Sequence, residues 1–473
     1  MGRSRQISHW DPENLVAWEA GNKVIARRNL IWSIVTMHVG FSVWALWSVM
    51  VLFMPQSVYG FPPGDKLLLG ATATLVGAGV RIPYVMGTAR FGGRNWAIFS
   101  SLVLLIPTVG AIVLLANPGL PLWPYLVCAA LSGLGGGNYA ASLANVEAFY
   151  PQRRKGLALG VAGGIGNLGV AGIQAVGLVV LATVGHEAPY WVCAVYVVLL
   201  AIAGLGAALF MDNLTHVVEA GHVGSVLKVP DAWGVAFLYM CAAGSFIGFS
   251  FAFGQVIQLN LLANGQTHAQ ASLHAAQIAF VGPLLGSVAR IAGGKLGDRF
   301  GGGRVTLGVM AGMILGAGLL VAVGTHDDTT RVPGGQTAAT TMVGYVFGFI
   351  ALFIFCGMGK GAVFKIIPSI FEERSHSLNL SEDERRHWSR VMSAALIGFA
   401  GSVGALGAVA INLALRQSYI ASGTETPAFW GFLLCYVFAA ALTWVRYVRP
   451  RHAGVRTPSP SNWQVIGEER VTT

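Results

Sequence analysis

Charge is what this 473-residue chain has least of. Asp, Glu, Lys and Arg make up only 11% of it, against about 25% in soluble globular proteins. That scarcity excludes a water-solvated domain and leaves a membrane protein of many spans. The five cysteines (Cys128, Cys193, Cys241, Cys356, Cys435) all fall in apolar runs. They form no disulfide framework and read as small apolar residues. No apolar core precedes residue 30, so no cleavable signal peptide is expected. There is no P-loop, no metal-ligand spacing and no nucleophile beside a base. An enzyme is therefore not expected, nor a cofactor or a metal.

What is present is apolar surface: 54% of residues are hydrophobic and the mean hydropathy is +0.63. Runs of about 20 apolar residues recur along the chain. They predict twelve helices near 30–53, 66–89, 95–116, 122–149, 156–184, 189–210, 233–260, 271–297, 305–324, 341–371, 389–416 and 427–446. With both termini assigned to the cytoplasm, 23 of the 30 Lys and Arg residues lie at cytoplasmic span ends and loops, and three (Lys66, Arg331, Arg416) lie opposite. This is the positive-inside pattern of a multi-pass protein of the cytoplasmic membrane. It accounts for the net charge of +10 without a nucleic-acid partner.

The chain divides into a cytoplasmic N-terminal segment (1–29), a six-helix bundle (30–210), a cytoplasmic linker (211–232), a second six-helix bundle (233–446) and a disordered cytoplasmic tail (447–473). Trp10, Trp18 and Arg27-Arg28 read as an interfacial anchor. Residues 325–340 and 372–388 read as polar loops, the second a solvated acidic face. Nothing requires an oligomer, so a monomer in the bilayer is expected.

The fifth span holds a glycine-rich stretch, Gly156 to Gln174. Gly160, Gly164, Asn167, Ala171 and Gln174 share one helix face, which predicts close approach of another helix. The eleventh span echoes it: Gly398, Gly401, Gly404 and Gly407 repeat the spacing of Gly160, Gly163, Gly166 and Gly169. Further echoes link the halves. Arg81 and Arg290 each precede a Phe-Gly-Gly loop by ten residues, and Gly133, Gly135 and Gly137 recur as Gly357, Gly359 and Gly361. Parallel repeats of this kind mark secondary transporters that hold substrate between their halves.

Arg81 and Arg290 stand at matching depth, and no midspan acid is available to either. Each costs about 2.5–3.5 kcal/mol to insert. A planar guanidinium presents paired donors to an oxyanion, so the two point to an anionic ligand; the alternative is two structural arginines bonded to backbone carbonyls. Phe41, Tyr139, Tyr239 and Phe364 are candidate stacking partners, and the Asn167 amide can donate to an oxygen. Taken alone, each aromatic fits a helix core better than a site.

At these residues the chain resembles the nitrate/nitrite porters of the major facilitator superfamily, the NarK-type transporters. The family's two signature helices match Gly156–Gln174 and Gly398–Leu415, and its substrate arginines match Arg81 and Arg290. Gly-Gly-Asn138-Tyr139 resembles its fourth span and Gly244-Ser-Phe-Ile-Gly-Phe-Ser250 its seventh. The resemblance implies that Arg81 and Arg290 bind nitrate or nitrite, that Phe41, Tyr139 and Phe364 line the site, and that Asn167 and Tyr239 complete it. Gly294–Arg304 resembles the superfamily's cytoplasmic loop signature, which implies a gating role for Asp298 and Arg299; plain topogenic charge is the other reading. The chain departs from the family at Ala405, where the first signature has Asn167, at Ala243, and at Lys360 and Lys365.

Two guanidiniums ~6 Å apart at an effective dielectric of ~20 would repel by about 3 kcal/mol. A bound monovalent anion would offset much of this, which favours nitrate/nitrite exchange. His38, Lys360 and Lys365 are the groups through which proton symport would run instead. Carriage of another small anion such as formate, and a sensor that binds without transport, are further alternatives.

Overall fold

In a computed structural model the chain is helical almost throughout, and residues 6–214, 223–330 and 339–449 are described. The predicted tail from 450 onward and parts of the N-terminal segment, linker and 325–340 loop lie outside the described residues. Among the described residues nine helices are long and apolar enough to cross a membrane. Two further spans are bent pairs: Leu15–Trp44 with Leu46–Phe53, at 46°, and Pro63–Gly79 with Arg81–Phe91, at 42°. The remaining predicted span, the fourth, runs as Leu122–Ser132 and Gly135–Phe149.

These breaks have local causes. Pro83 has no N–H for the Gly79 carbonyl and its ring crowds that carbonyl, so the second span bends just before it. The bend falls at Arg81. The fourth span is interrupted where its glycines meet neighbouring backbone: a β-carbon on Gly135 would stand 2.2 Å from the Gly40 oxygen. In the tenth span Gly357 and Gly361 also meet backbone, a β-carbon standing 1.9 Å from the Gly286 oxygen and 2.5 Å from the Arg290 oxygen, but there the helix runs unbroken over Ala339–Ala362. The repeated glycines thus do the same packing work in each half.

Several details differ from expectation. The fifth span starts at Gln152. The acidic stretch predicted as loop is largely helical: Ser381 caps the eleventh helix, Glu382–Ser422, in a reciprocal capping box with Glu384. Trp18 is buried and packs with Ala26 and Phe149, while Trp10 meets Phe149 edge-on at 5.1 Å. Both tryptophans seal the end of the fourth span, which corrects the anchor reading. The N-terminal segment is further held by a two-residue parallel pairing of Gln6–Ile7 with Asn213–Leu214.

Two aspartates absent from the sequence reading tie the ends of the halves. Asp212 accepts from Arg28 and Asn29. Asp231 accepts from Arg374 and Arg446, each at 2.7 Å. Both lie at the end of the molecule that carries the chain termini.

Contacts between the first six and last six spans are concentrated at the opposite end. There Gln258 and Ser272 donate to the Leu52 carbonyl, Gln255 to that of Pro63, and Gln174 to that of Ser250. Toward the termini end, a β-carbon on Gly160, Gly164 or Gly398 would meet nothing within 4 Å. The halves are therefore sealed at one end and apart at the other. We predict that Gly135→Ala lowers the thermal midpoint of the detergent-solubilised protein, costing about 1–3 kcal/mol through overpacking. Gly160→Ala, with open space around it, leaves the midpoint unchanged or raises it.

Candidate functional site

The two arginines meet midway between the sealed and open ends. Arg81 is 7% exposed and its Nη1 donates to the Gly401 carbonyl of the eleventh span at 2.8 Å. Its Nε is buried without a partner. Arg290 is half-buried and its Nη1 donates to the Tyr139 hydroxyl of the fourth span at 2.6 Å. Both guanidinium carbons lie 5.9 Å from the Tyr139 ring centroid, so their separation cannot exceed twice that distance. Tyr239 is a neighbour of both.

Bends and glycines bring these groups together. The Pro83 bend carries Arg81 toward the eleventh span, and the glycines before Tyr139 draw its helix onto the first and second spans. Phe41 backs Tyr139, ring centres 5.1 Å apart. Tyr239 and Phe364 stack at 4.3 Å, nearly parallel. Each arginine also lies against a signature glycine of the other half: Nη1 of Arg81 would be 3.6 Å from a β-carbon on Gly401, and Nη2 of Arg290 would be 3.6 Å from one on Gly163.

A third cation, Lys360, joins them. It is 3% exposed, donates to Asn167 Oδ1 at 3.1 Å and sits 3.9 Å from the Phe246 ring centre. Arg290 and Arg81 are its charged neighbours. Asn167, expected to donate to a ligand oxygen, turns its own oxygen to Lys360, and its buried Nδ2 has no partner among the described residues. The guanidiniums, expected to be unpaired, each have one neutral partner.

Other candidates lie elsewhere. His38 Nδ1 contacts the Ile165 carbonyl at 3.0 Å, within the first six spans. Lys365 is exposed and pairs with Asp298 at 2.6 Å. Arg299, the other residue given a gating role, lies against Phe300 at 5.1 Å. The small-residue face also needs correction. The tight glycines are Gly163, Gly166 and Gly169, and Gly404 and Gly407, with close neighbours such as Met37, the His38 carbonyl, Tyr239 and Met240. Gly160, Gly164 and Gly398 line the open end. Sequence reasoning missed Trp44, which lies 5.8 Å beneath Arg81; its place one turn from Phe41 was the available signal.

The arrangement gathers cations from both halves, paired among the described residues only with neutral groups, beside the rings of Tyr139, Trp44 and Phe246. Chemically it suits a small planar anion.

The model of the Major Facilitator Superfamily matches residues 32–381. The nitrate/nitrite transporter NarU of Salmonella typhimurium is 33% identical over 468 residues, covering 94% of this chain and 96% of the relative. A Thermus thermophilus protein named "Probable nitrate/nitrite antiporter NarK2" is 27% identical, with the same coverage. Among solved structures, a mutant of the nucleoside transporter NupG superposes with a TM-score of 0.58 at 13% identity, covering 89% of this chain and 100% of the other; at that identity it speaks to fold alone.

We predict that Arg81→Lys and Arg290→Lys fold and insert but bind nitrate at least about tenfold more weakly in calorimetric titration, since lysine keeps the charge and loses the planar fork. Unchanged affinity in either variant removes that arginine from the site.

Proposed function

The chain belongs to the major facilitator superfamily and, within it, to the nitrate/nitrite porters, and on that footing we propose that it carries nitrate and nitrite across the cytoplasmic membrane by alternating access. The observation that carries the reading is the pair of guanidiniums held between the halves with only neutral partners. Arg81 and Arg290 bind the anion's oxygens; Tyr139, Tyr239, Phe41 and Phe364 enclose its faces; Asn167 donates to it. Residues 30–210 and 233–446 act as the two rocking bundles. The basic residues gathered at the termini end support a cytoplasmic location for both termini, and on that reading the open end faces inward in this state. The protein acts as a monomeric transporter, not as an enzyme.

Exchange of one anion for the other is the mode the charges support. The guanidiniums repel by about 3 kcal/mol if ~6 Å apart and about 1.4 kcal/mol if ~12 Å apart, at an effective dielectric of ~20. Lys360 adds to that repulsion. Closing an empty site therefore costs more than closing a loaded one, and each transit requires cargo. The name of the Thermus relative is in keeping with this. One observation supports a second reading, proton symport: of the three groups suggested for coupling, Lys360 lies at the site.

Two experiments test the proposal. Proteoliposomes loaded with nitrite should take up labelled nitrate at least about tenfold faster than empty ones, with or without a proton gradient. Rapid gradient-driven uptake into empty vesicles would establish symport instead, and no nitrate movement under any condition would overturn the transport reading. Gly164→Leu should fold normally, since this state has room for it, yet abolish net transport by blocking closure of the cytoplasmic end. Transport at the original rate would show that the fifth span does not close there.

A further inference from the structure

Lys360 touches the site through a single side chain. Its ammonium has three donors and no acceptor, so the atom that Asn167 turns toward it is the carbonyl oxygen. That contact, at 3.1 Å, also fixes the other end of the amide. Asn167 is 1% exposed and its Nδ2 has no partner. It stands one turn along the fifth span from Gly163, the residue beside Arg290 Nη2. Arg81 Nε is also buried and unpartnered. The unoccupied polar groups of Arg81 and Asn167 at this place are therefore donors, while the amide's oxygen faces Lys360.

We propose, resting on the reading of this place as the anion site, that Lys360 is a positioning residue. It holds the Asn167 amide with its NH2 group available to the ligand, and so selects oxyanions that carry no proton. Nitrate and nitrite bring only acceptors. Bicarbonate is also planar and monovalent, but its O–H needs an acceptor, and Asn167 presents its NH2 group while its oxygen faces Lys360. With the amide so turned, only the tyrosine hydroxyls remain to accept that O–H, and a ligand whose donor loses an acceptor binds more weakly than one that brings only acceptors. Formate is fully ionised and has no such donor, so this device does not discriminate against it.

The test uses the full chain in proteoliposomes, with labelled nitrate uptake and unlabelled bicarbonate or formate as competitors. Lys360→Met frees the amide to turn. The half-saturation for nitrate should rise about tenfold, and bicarbonate inhibition should strengthen at least about fivefold relative to formate. Lys360→Gln, whose amide can donate or accept, should move both in the same direction. In an Asn167→Ala background, Lys360→Met should leave the bicarbonate-to-formate ratio where it is, because the lysine acts through that amide. The ratio is independent of how much protein folds. Should neither Lys360 variant fold, Asn167→Asp places an acceptor where the NH2 stood and should shift the ratio the same way. An unchanged ratio in the variants that fold, or additive effects in the double variant, overturns the inference. If the unaltered protein moves no nitrate, the transport reading fails; if it does and the ratio ignores Lys360, only the positioning role fails.

Discussion

The structure depends on an incomplete electrostatic bargain: three buried or half-buried cations meet between the halves with no carboxylate bonded to them. Arg81 leans on a backbone carbonyl, Arg290 on a tyrosine hydroxyl and Lys360 on an amide oxygen. Each of these partners belongs to the opposite half of the chain. A neutral acceptor satisfies a donor but does not cancel a charge. The contacts hold the halves in register and leave a field that only an anion can neutralise. On the proposed reading, substrate binding and bundle closure become one event.

The fifth span shows how that event is transmitted. One face of it reads, from the sealed end to the open end, as three zones. Gln174 is bonded to the seventh span, Asn167 to the tenth, and Gly164 and Gly160 to nothing. The eleventh span mirrors it, with Gly401 at Arg81 and Gly398 in open space. The empty glycine positions are thus no packing defect. They are the surface the halves would share once the other end opens, and small residues there let helix backbones meet.

Much of this was legible in the sequence because membranes make rare residues informative. Arg81 and Arg290 stand out against apolar surroundings, and their equal distance from the Phe-Gly-Gly loops betrays the repeat. The glycines of the fourth and tenth spans were likewise readable as a pair. What the sequence could not convey is azimuth. Gly160 and Gly163 look equivalent in a one-dimensional repeat, yet only one of them faces a neighbour in this state. His38, Lys360 and Lys365 all read as cations in or beside spans; a rotation about the helix axis, and a turn at Val363–Lys365, put one at the site and two elsewhere. Asp298 and Arg299 shared one gating expectation, but a helix directs successive side chains apart, and Lys365 reaches Asp298 from another span.

The central claim is that an anion replaces neutral partners between two guanidiniums, and a structure determined with nitrate present tests it most directly. The account predicts planar density in contact with both Arg81 and Arg290, with the Arg81–Gly401 and Arg290–Tyr139 hydrogen bonds lengthened or released. Density for nitrate at any other place, or an occupied cavity in which both arginines keep their present partners and touch no anion, would contradict it.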